Sequence, residues 1–371
     1  MATSFSSGAS RAGVTRPRPL RVGLLPLTDA APFVVAQELG LFARHGVEVE
    51  LRREIGWATI REKIIFGELD AAQAPAPMLW SVQLGLGCAP CDVLTALILN
   101  LHGNAITLSR TLWAAGVRDA ATLREHLRTR RAPEPLTLGI VFPFSSHHLL
   151  LRDWLRAAAI DPDRDVRIVV VPPAQMFRNL RAQTIDGFCS GEPWNTLAVQ
   201  QGEGWCPAWS AAQQPGHVEK VLLVTQRFAT TRAAEHAALV RALAEAGAWC
   251  DEPHHRERLA EMLGGAAWIN LPARVIAPAL LGRFDCGHDR VARAPDFLVF
   301  QRAEAGVPAP EKAAALQRDL GATGLLPDVA ARDESLPRRL FRADLHREIL
   351  AHPSHEIVHT TDLRGAAHQP G

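Results

Sequence analysis

The chain has 371 residues, 47% hydrophobic and 21% charged. That is globular composition, which excludes a disordered or fibrous protein and allows two lobes, each with its own core. Lys+Arg 40 against Asp+Glu 39 gives a formal net charge of +1, too small for a global field that gathers nucleic acid or an anionic membrane. Lysine occurs only at Lys63, Lys220 and Lys312, so a lysine kept in this arginine-rich background marks a position to inspect.

Residues 1–19 are expected to form a flexible tail. Met1 to Arg21 hold no continuous apolar core, whereas a secretory signal needs roughly 7–15 apolar residues after a positive start and a membrane span about 18. The expectation is a cytoplasmic chain without membrane contact. Six cysteines without a framework spacing fit reduced thiols in that compartment.

The run Leu20 to Pro26 predicts a strand, and Thr28 or Asp29 is placed to cap a helix over Ala31–His45. A strand over Val47–Leu51, a helix over Trp57–Phe66 and a short strand over Asp70–Gln73 follow, then strands over Ala96–Leu99 and Ala105–Leu108 around His102-Gly103-Asn104. The helix Asp119–Thr129, the strand Leu136–Phe142 and a helix capped by Ser145 or Ser146 and running to Ala159 open a second unit. Val166–Val171, the helix Pro173–Arg181, Asp186–Cys189 and the helix Glu192–Gln200 continue it. Lys220–Thr225 reads as a return strand, and the chain from Thr231 as mainly helical, over Ala233–Trp249, His255–Leu263, Ala273–Leu281, Pro310–Asp319 and Arg339–Ala351. Alternating strands and helices imply βαβ units and parallel sheets. The expected organisation is lobe 1 over 20–106, lobe 2 over 107–214, a return to lobe 1 with a helical C-terminal part over 215–352, and a loose tail over 353–371. Two α/β lobes make a cleft, where strand ends and helix N-termini suit a small anion.

The stretch from Gly23 to Leu51 resembles the opening of the nitrate- and bicarbonate-binding members of the type II periplasmic-binding-protein fold. The likeness continues in order through Gly56-Trp57-Ala-Thr-Ile-Arg-Glu-Lys63, Asp70 to Gln73, Leu101-His-Gly-Asn-Ala-Ile106, Ser146-His147, Ile160 to Val166, Val171 to Met176, Asp186 to Asn195 and His217-Val-Glu-Lys220. It covers about residues 20–300. Transport members carry an export signal and often a lipid anchor; without either, the chain is similar to the cytoplasmic nitrate/nitrite sensor that restrains an RNA-binding antiterminator. The resemblance therefore implies a two-lobed α/β fold, nitrate or nitrite as ligand, no cofactor, no metal and no catalysis. It also implies an antiterminator protein as partner, with no direct nucleic-acid contact.

The family's nitrate pocket falls on Trp57, Asn104, His147, Gly191 and Lys220. His147 is preferred to His148 because Leu149 to Arg152 then keep the family register, and Asn104 stands where transport members carry Gln. Nitrate is a flat monoanion whose oxygens only accept hydrogen bonds, so its pocket needs donors and a compensating charge. Trp57 and Asn104 are read as neutral donors, Gly191 as close backbone approach and Lys220 as the charge. A bicarbonate-binding relative is expected to place an acidic residue near the lysine position and recruit a metal.

Each residue also has an ordinary structural role. Trp57 and His147 can be helix-start residues with packed or satisfied side chains, Asn104 turn chemistry, Gly191 a strand-to-helix turn and Lys220 a solvated strand-edge charge. Cys88-Ala-Pro-Cys91 lacks a second pair to complete a zinc site. No Walker or Rossmann glycine loop occurs, and Ser145-Ser146-His147-His148 lacks the strained elbow of a hydrolase nucleophile. Two further readings remain: the substrate-binding component of an ABC-type nitrate transporter, and an enzyme like that of thiamine-pyrimidine biosynthesis, whose cysteine-rich motif is missing here.

Overall fold

The computed structural model describes residues 18–131 and 134–352. The expected tails over 1–19 and 353–371 lie outside the described residues, Arg18 and Pro19 excepted. The chain starts a sheet with β1 (Leu20–Leu24), β2 (Val49–Arg53), β3 (Ala71–Pro75), β4 (Val93–Leu94) and β5 (Ile98–His102). It then crosses to a second sheet, with β6 (Asn104–Ser109), β7 (Leu136–Ile140), β8 (Val166–Val170), β9 (Gly187–Gly191) and β10 (Gly204–Trp209). It returns through β11 (Val218–Thr225), makes a hairpin of β12 (Arg283–Gly287) and β13 (Arg290–Arg293), and closes on β14 (Leu298–Val299).

The first sheet runs β14-β5-β11-β3-β1-β2, with β4 also paired to β11. β1 is parallel to β2 and β3, as the helical crossovers require, while β11 is antiparallel to β3 and β5. The second sheet runs β10-β6-β9-β7-β8. The chain crosses between the sheets twice, from β5 into β6 and from β10 back into β11, so two connections and not a single linker join the lobes. At the first crossing Gly103 takes φ +98°, and a Cβ there would meet Leu298 Cδ1 at 2.5 Å, so this turn demands glycine.

One apolar cluster spans both lobes, joining Leu27, Trp57, Ala74 and Trp80 to Phe142, Leu149, Met176 and Phe188. The inner walls of the cleft are therefore packed against each other. The backbone N–H of Thr28 also donates to the carbonyl of Glu192 at 2.8 Å across the lobes.

Several expected elements differ. The helix expected over Ala31–His45 stops at Glu38 and restarts at Leu41, because Gly40 is left-handed at φ 67°. Neither Thr28 nor Asp29 caps it: both lie in a short 3-10 turn and Ala30 is the N-cap, with no side-chain hydrogen bond. The helix expected from Glu192 begins at Trp194, after Pro193. The one expected over Arg339–Ala351 splits into Leu336–Leu340 and Ala343–Ala351. Ser145 does cap the helix Ser146–Ala157, its Oγ accepting from His148 N–H at 3.3 Å.

Candidate functional site

Where the lobes meet, strand register brings the expected residues together. Asn104, first in β6, stands opposite Gly191, last in β9. Lys220 sits in the interior strand β11, opposite Pro75 of β3 and Asn100 of β5. Trp57 opens the helix Trp57–Ile65 and His147 lies in the first turn of Ser146–Ala157, so two helix N-termini approach the same place. Trp57 is 1% exposed, and Asn104, His147 and Lys220 are 0%.

Lys220 is thus no solvated edge charge. Its Nζ lies 2.8 Å from Asp29 Oδ2, as an ion pair outside hydrogen-bond alignment, and donates to Glu219 Oε1. Both carboxylates are buried. The Asp29 Oδ1 atom accepts from Gln73 Nε2 at 2.6 Å, and Gln73 Oε1 in turn accepts the backbone N–H of Leu25 at 3.1 Å. Trp57 lays its ring 5.3 Å from the ammonium, within cation–π range.

The second carboxylate was not expected. On a regular strand Glu219 and Lys220 would point to opposite faces. The register of β11 against β5 shifts on both sides of Lys220, a bulge that lets both side chains reach one place. Glu219 Oε2 accepts from Asn104 Nδ2 at 2.5 Å and lies 3.4 Å from His217 Nε2, while Oε1 lies 3.5 Å from His147 Nε2.

Two expectations are corrected here. Asn104 gives one N–H of its amide to Glu219 and leaves its carbonyl Oδ1 without a partner, so beside its remaining N–H it also places an acceptor in the cluster. Lys220 is not a lone compensating charge but the centre of a triad with two carboxylates.

Burial disfavours every charge in this cluster, and neighbours decide the outcome. Burial alone would raise the Glu219 carboxyl, but Lys220, His147 and His217 hold it well below the usual carboxylate range. Burial lifts Asp29 above its ordinary value, with Lys220 opposing only in part. Burial opposes the Lys220 charge too, yet Asp29 and Glu219 outweigh it and hold the ammonium above its usual value. His147 is pushed down to about 3 by burial, against the pull of Glu219, so it stands as neutral imidazole near neutrality.

Trp57 Nε1 and both ring nitrogens of His147 are buried without a hydrogen-bond partner. As a neutral imidazole His147 supplies one N–H donor and one acceptor nitrogen; buried polar groups left unpaired cost roughly 1–3 kcal/mol each, and two such N–H donors beside a lysine suit an oxyanion. A Cβ built on Gly191 would lie 3.5 Å from Asn104 Oδ1 and 3.5 Å from Asp29 Oδ2, so the missing side chain leaves room within the polar cluster. Among the described residues there is no group of three His, Cys, Asp or Glu side chains placed to hold a metal.

Comparison with known proteins places the fold. The model of the NMT1-like family matches residues 14–264. The chain is 30% identical over 304 residues to the nitrate/nitrite binding protein NrtA of Synechococcus elongatus, covering 79% of this chain and 69% of that protein. It is 38% identical over 337 residues to the nitrate import ATP-binding protein NrtC of Synechocystis, covering 90% of this chain and 50% of that protein. With the bicarbonate transport ATP-binding protein CmpC of Synechococcus elongatus it shares 42% over 259 residues, 69% of this chain and 39% of that protein. The chain thus spans half or less of these two ATP-binding relatives. The crystal structure of the periplasmic nitrate-binding protein NrtA from Synechocystis superposes with a TM-score of 0.85 at 26% identity, over 90% of this chain and 88% of that one. The chain belongs to the NMT1-like family and has the two-lobed α/β periplasmic-binding-protein-like fold.

Proposed function

We propose that the chain is a cytoplasmic sensor that binds nitrate or nitrite between its lobes and acts by binding rather than by turnover. The observation that carries this reading is the pair of unpartnered buried N–H donors, Trp57 Nε1 and the one N–H of the neutral His147 ring, beside Lys220 at the junction of the lobes. Nitrate only accepts hydrogen bonds, so such donors match it. The likeness to NrtA, named for nitrate and nitrite, favours these anions.

The proposed output is a protein complex: the open form holds an RNA-binding antiterminator, and anion-driven closure releases it to regulate nitrate-assimilation genes. An anion held between two lobes favours closure by its differential affinity for the two states, and the partner then weakens anion binding by the same factor. A net charge of +1 supports a protein partner over direct RNA contact. No helix among the described residues is long and apolar enough to cross a membrane.

A thermal-shift series with nitrate, nitrite, bicarbonate and sulfate tests the ligand. Stabilisation follows RT ln(1 + [L]/Kd) for an anion bound only by the native cleft; a response to bicarbonate or sulfate but not to nitrate or nitrite defeats the ligand assignment. A pull-down of the antiterminator with and without nitrate tests the output, and equal capture in both defeats release. The names of NrtA, NrtC and CmpC equally favour a second reading, the substrate-binding part of an importer. In that case the protein captured is a permease and not an RNA-binding regulator.

A further inference from the structure

The carboxylate of Glu219 is held as a bound oxyanion would be. Its Oε1 takes the Lys220 ammonium and faces His147 Nε2 at 3.5 Å; its Oε2 takes Asn104 Nδ2 at 2.5 Å and faces His217 Nε2 at 3.4 Å. Three of these four groups, Asn104, His147 and Lys220, belong to the set that the family resemblance assigns to nitrate. A carboxylate offers two coplanar acceptor oxygens and one negative charge, the same recognition features as nitrate with one oxygen fewer. The two remaining expected groups are not engaged by it: Trp57 Nε1 has no partner and Gly191 keeps its space beside Asn104 and Asp29.

Charge points the same way. Lys220 is faced by two buried carboxyl groups, Asp29 and Glu219, so its ammonium is already paired before any anion enters. A monoanion entering it meets a carboxylate already on its donors, in a place where solvent screens little.

We infer that Glu219 is an intramolecular competitor for the anion site: its carboxylate occupies the donors of Asn104 and Lys220 and lies 3.5 Å from His147 Nε2, and a bound oxyanion must displace it or share them. Glu219 thereby sets the concentration at which the lobes respond and acts as a specificity residue. The inference rests on the anion-binding reading above. The bulge in β11 gives it a structural basis, since a regular strand would turn Glu219 away from the pocket.

The test compares the full chain with Glu219→Gln and Glu219→Ala. In calorimetric titration with nitrate, Glu219→Gln, which keeps the shape and removes the charge, is expected to bind at least about tenfold more tightly than the unaltered protein. Equal or weaker binding overturns competition and makes Glu219 a positioning residue for Lys220 and Asn104. In a second arm Glu219→Ala is titrated with formate and acetate. These carboxylates are expected to raise its unfolding temperature and not that of the unaltered protein; no rise overturns the inference. Should nitrate bind neither the unaltered protein nor Glu219→Gln, the nitrate reading fails by itself, and formate rescue of Glu219→Ala still decides for or against an internal carboxylate in the anion site. If Glu219→Ala does not fold, the nearly isosteric Glu219→Gln decides through its nitrate affinity.

Discussion

The backbone N–H of Thr28 donates to the Glu192 carbonyl at 2.8 Å, bonding the loop after β1 to the loop after β9 across the cleft. The side chain of Glu192 is buried, with Oε2 accepting from Thr196 N–H at 3.3 Å and Oε1 unpartnered. Burial, opposed by hydrogen bonds from Thr196 and Asn195, pushes its carboxyl from 4.5 up to about 7. A carboxyl raised in the native state binds its proton more tightly there than in the unfolded chain. Its favourable contribution is present below pH 4.5 and is lost as pH rises towards 7, a change of about 3 kcal/mol. Glu192→Gln should remove this fall from the profile of unfolding free energy between pH 4.5 and 8. An unchanged slope in urea titrations across that range rules Glu192 out as its source.

Lys220→Met leaves Asp29 and Glu219 buried without their shared cation. Breaking a buried ion pair from one side costs about 3–5 kcal/mol, and that loss should appear in chemical denaturation without any ligand. The remaining carboxylates then prefer their protons, so the deficit should be smaller at pH 5 than at pH 8. Neutralising one of them, as in Asp29→Asn with Lys220→Met, should recover part of the loss. A single variant as stable as the unaltered protein would contradict the buried triad.

Trp57→Phe removes one N–H and keeps an aromatic ring beside Lys220. Because Trp57 Nε1 has no protein partner, the change costs no internal hydrogen bond, and the smaller ring should lower stability only by about 1 kcal/mol through packing. Nitrate affinity should fall about tenfold or more, the value of a hydrogen bond to an anion. Unaltered affinity would place the anion away from the indole.

The alternation of strand and helix was readable because each crossover carries its own apolar period, and Lys220 stood out because lysine is rare in this chain. The partners of Lys220 were harder to see. Asp29 sits where a helix cap is expected, and only the fold brings it to Gln73, 44 residues away. Glu219 is hidden by the strand rule itself, since adjacent residues reach one pocket only through the bulge at Lys220. The hairpin of β12 and β13 escaped a helical reading of the C-terminal part. Its turn uses His288 and Asp289 at φ 51° and 58°, neither of them glycine, and His288 stacks on Trp113 of the second lobe with ring centroids 3.6 Å apart.

Gly191 separates folding from binding most cleanly. Its backbone needs no left-handed conformation, and an added Cβ would meet Asn104 Oδ1 and Asp29 Oδ2 at 3.5 Å and Leu27 Cδ2 at 3.6 Å, all ordinary contact distances. Gly191→Ala should therefore change stability by no more than about 0.5 kcal/mol. The methyl group would nevertheless stand inside the polar cluster, beside the Asn104 carbonyl and against the Asp29 carboxylate that pairs with Lys220. An anion held there loses both space and close approach to the backbone, so nitrate affinity should fall by more than about tenfold, a cost above 1.4 kcal/mol. Calorimetric titration checks the affinity and urea denaturation the fold. A variant that is stable and binds nitrate normally would move the anion to the Trp57 side of the cluster, whereas one that unfolds would make Gly191 a packing glycine and not a ligand-site residue.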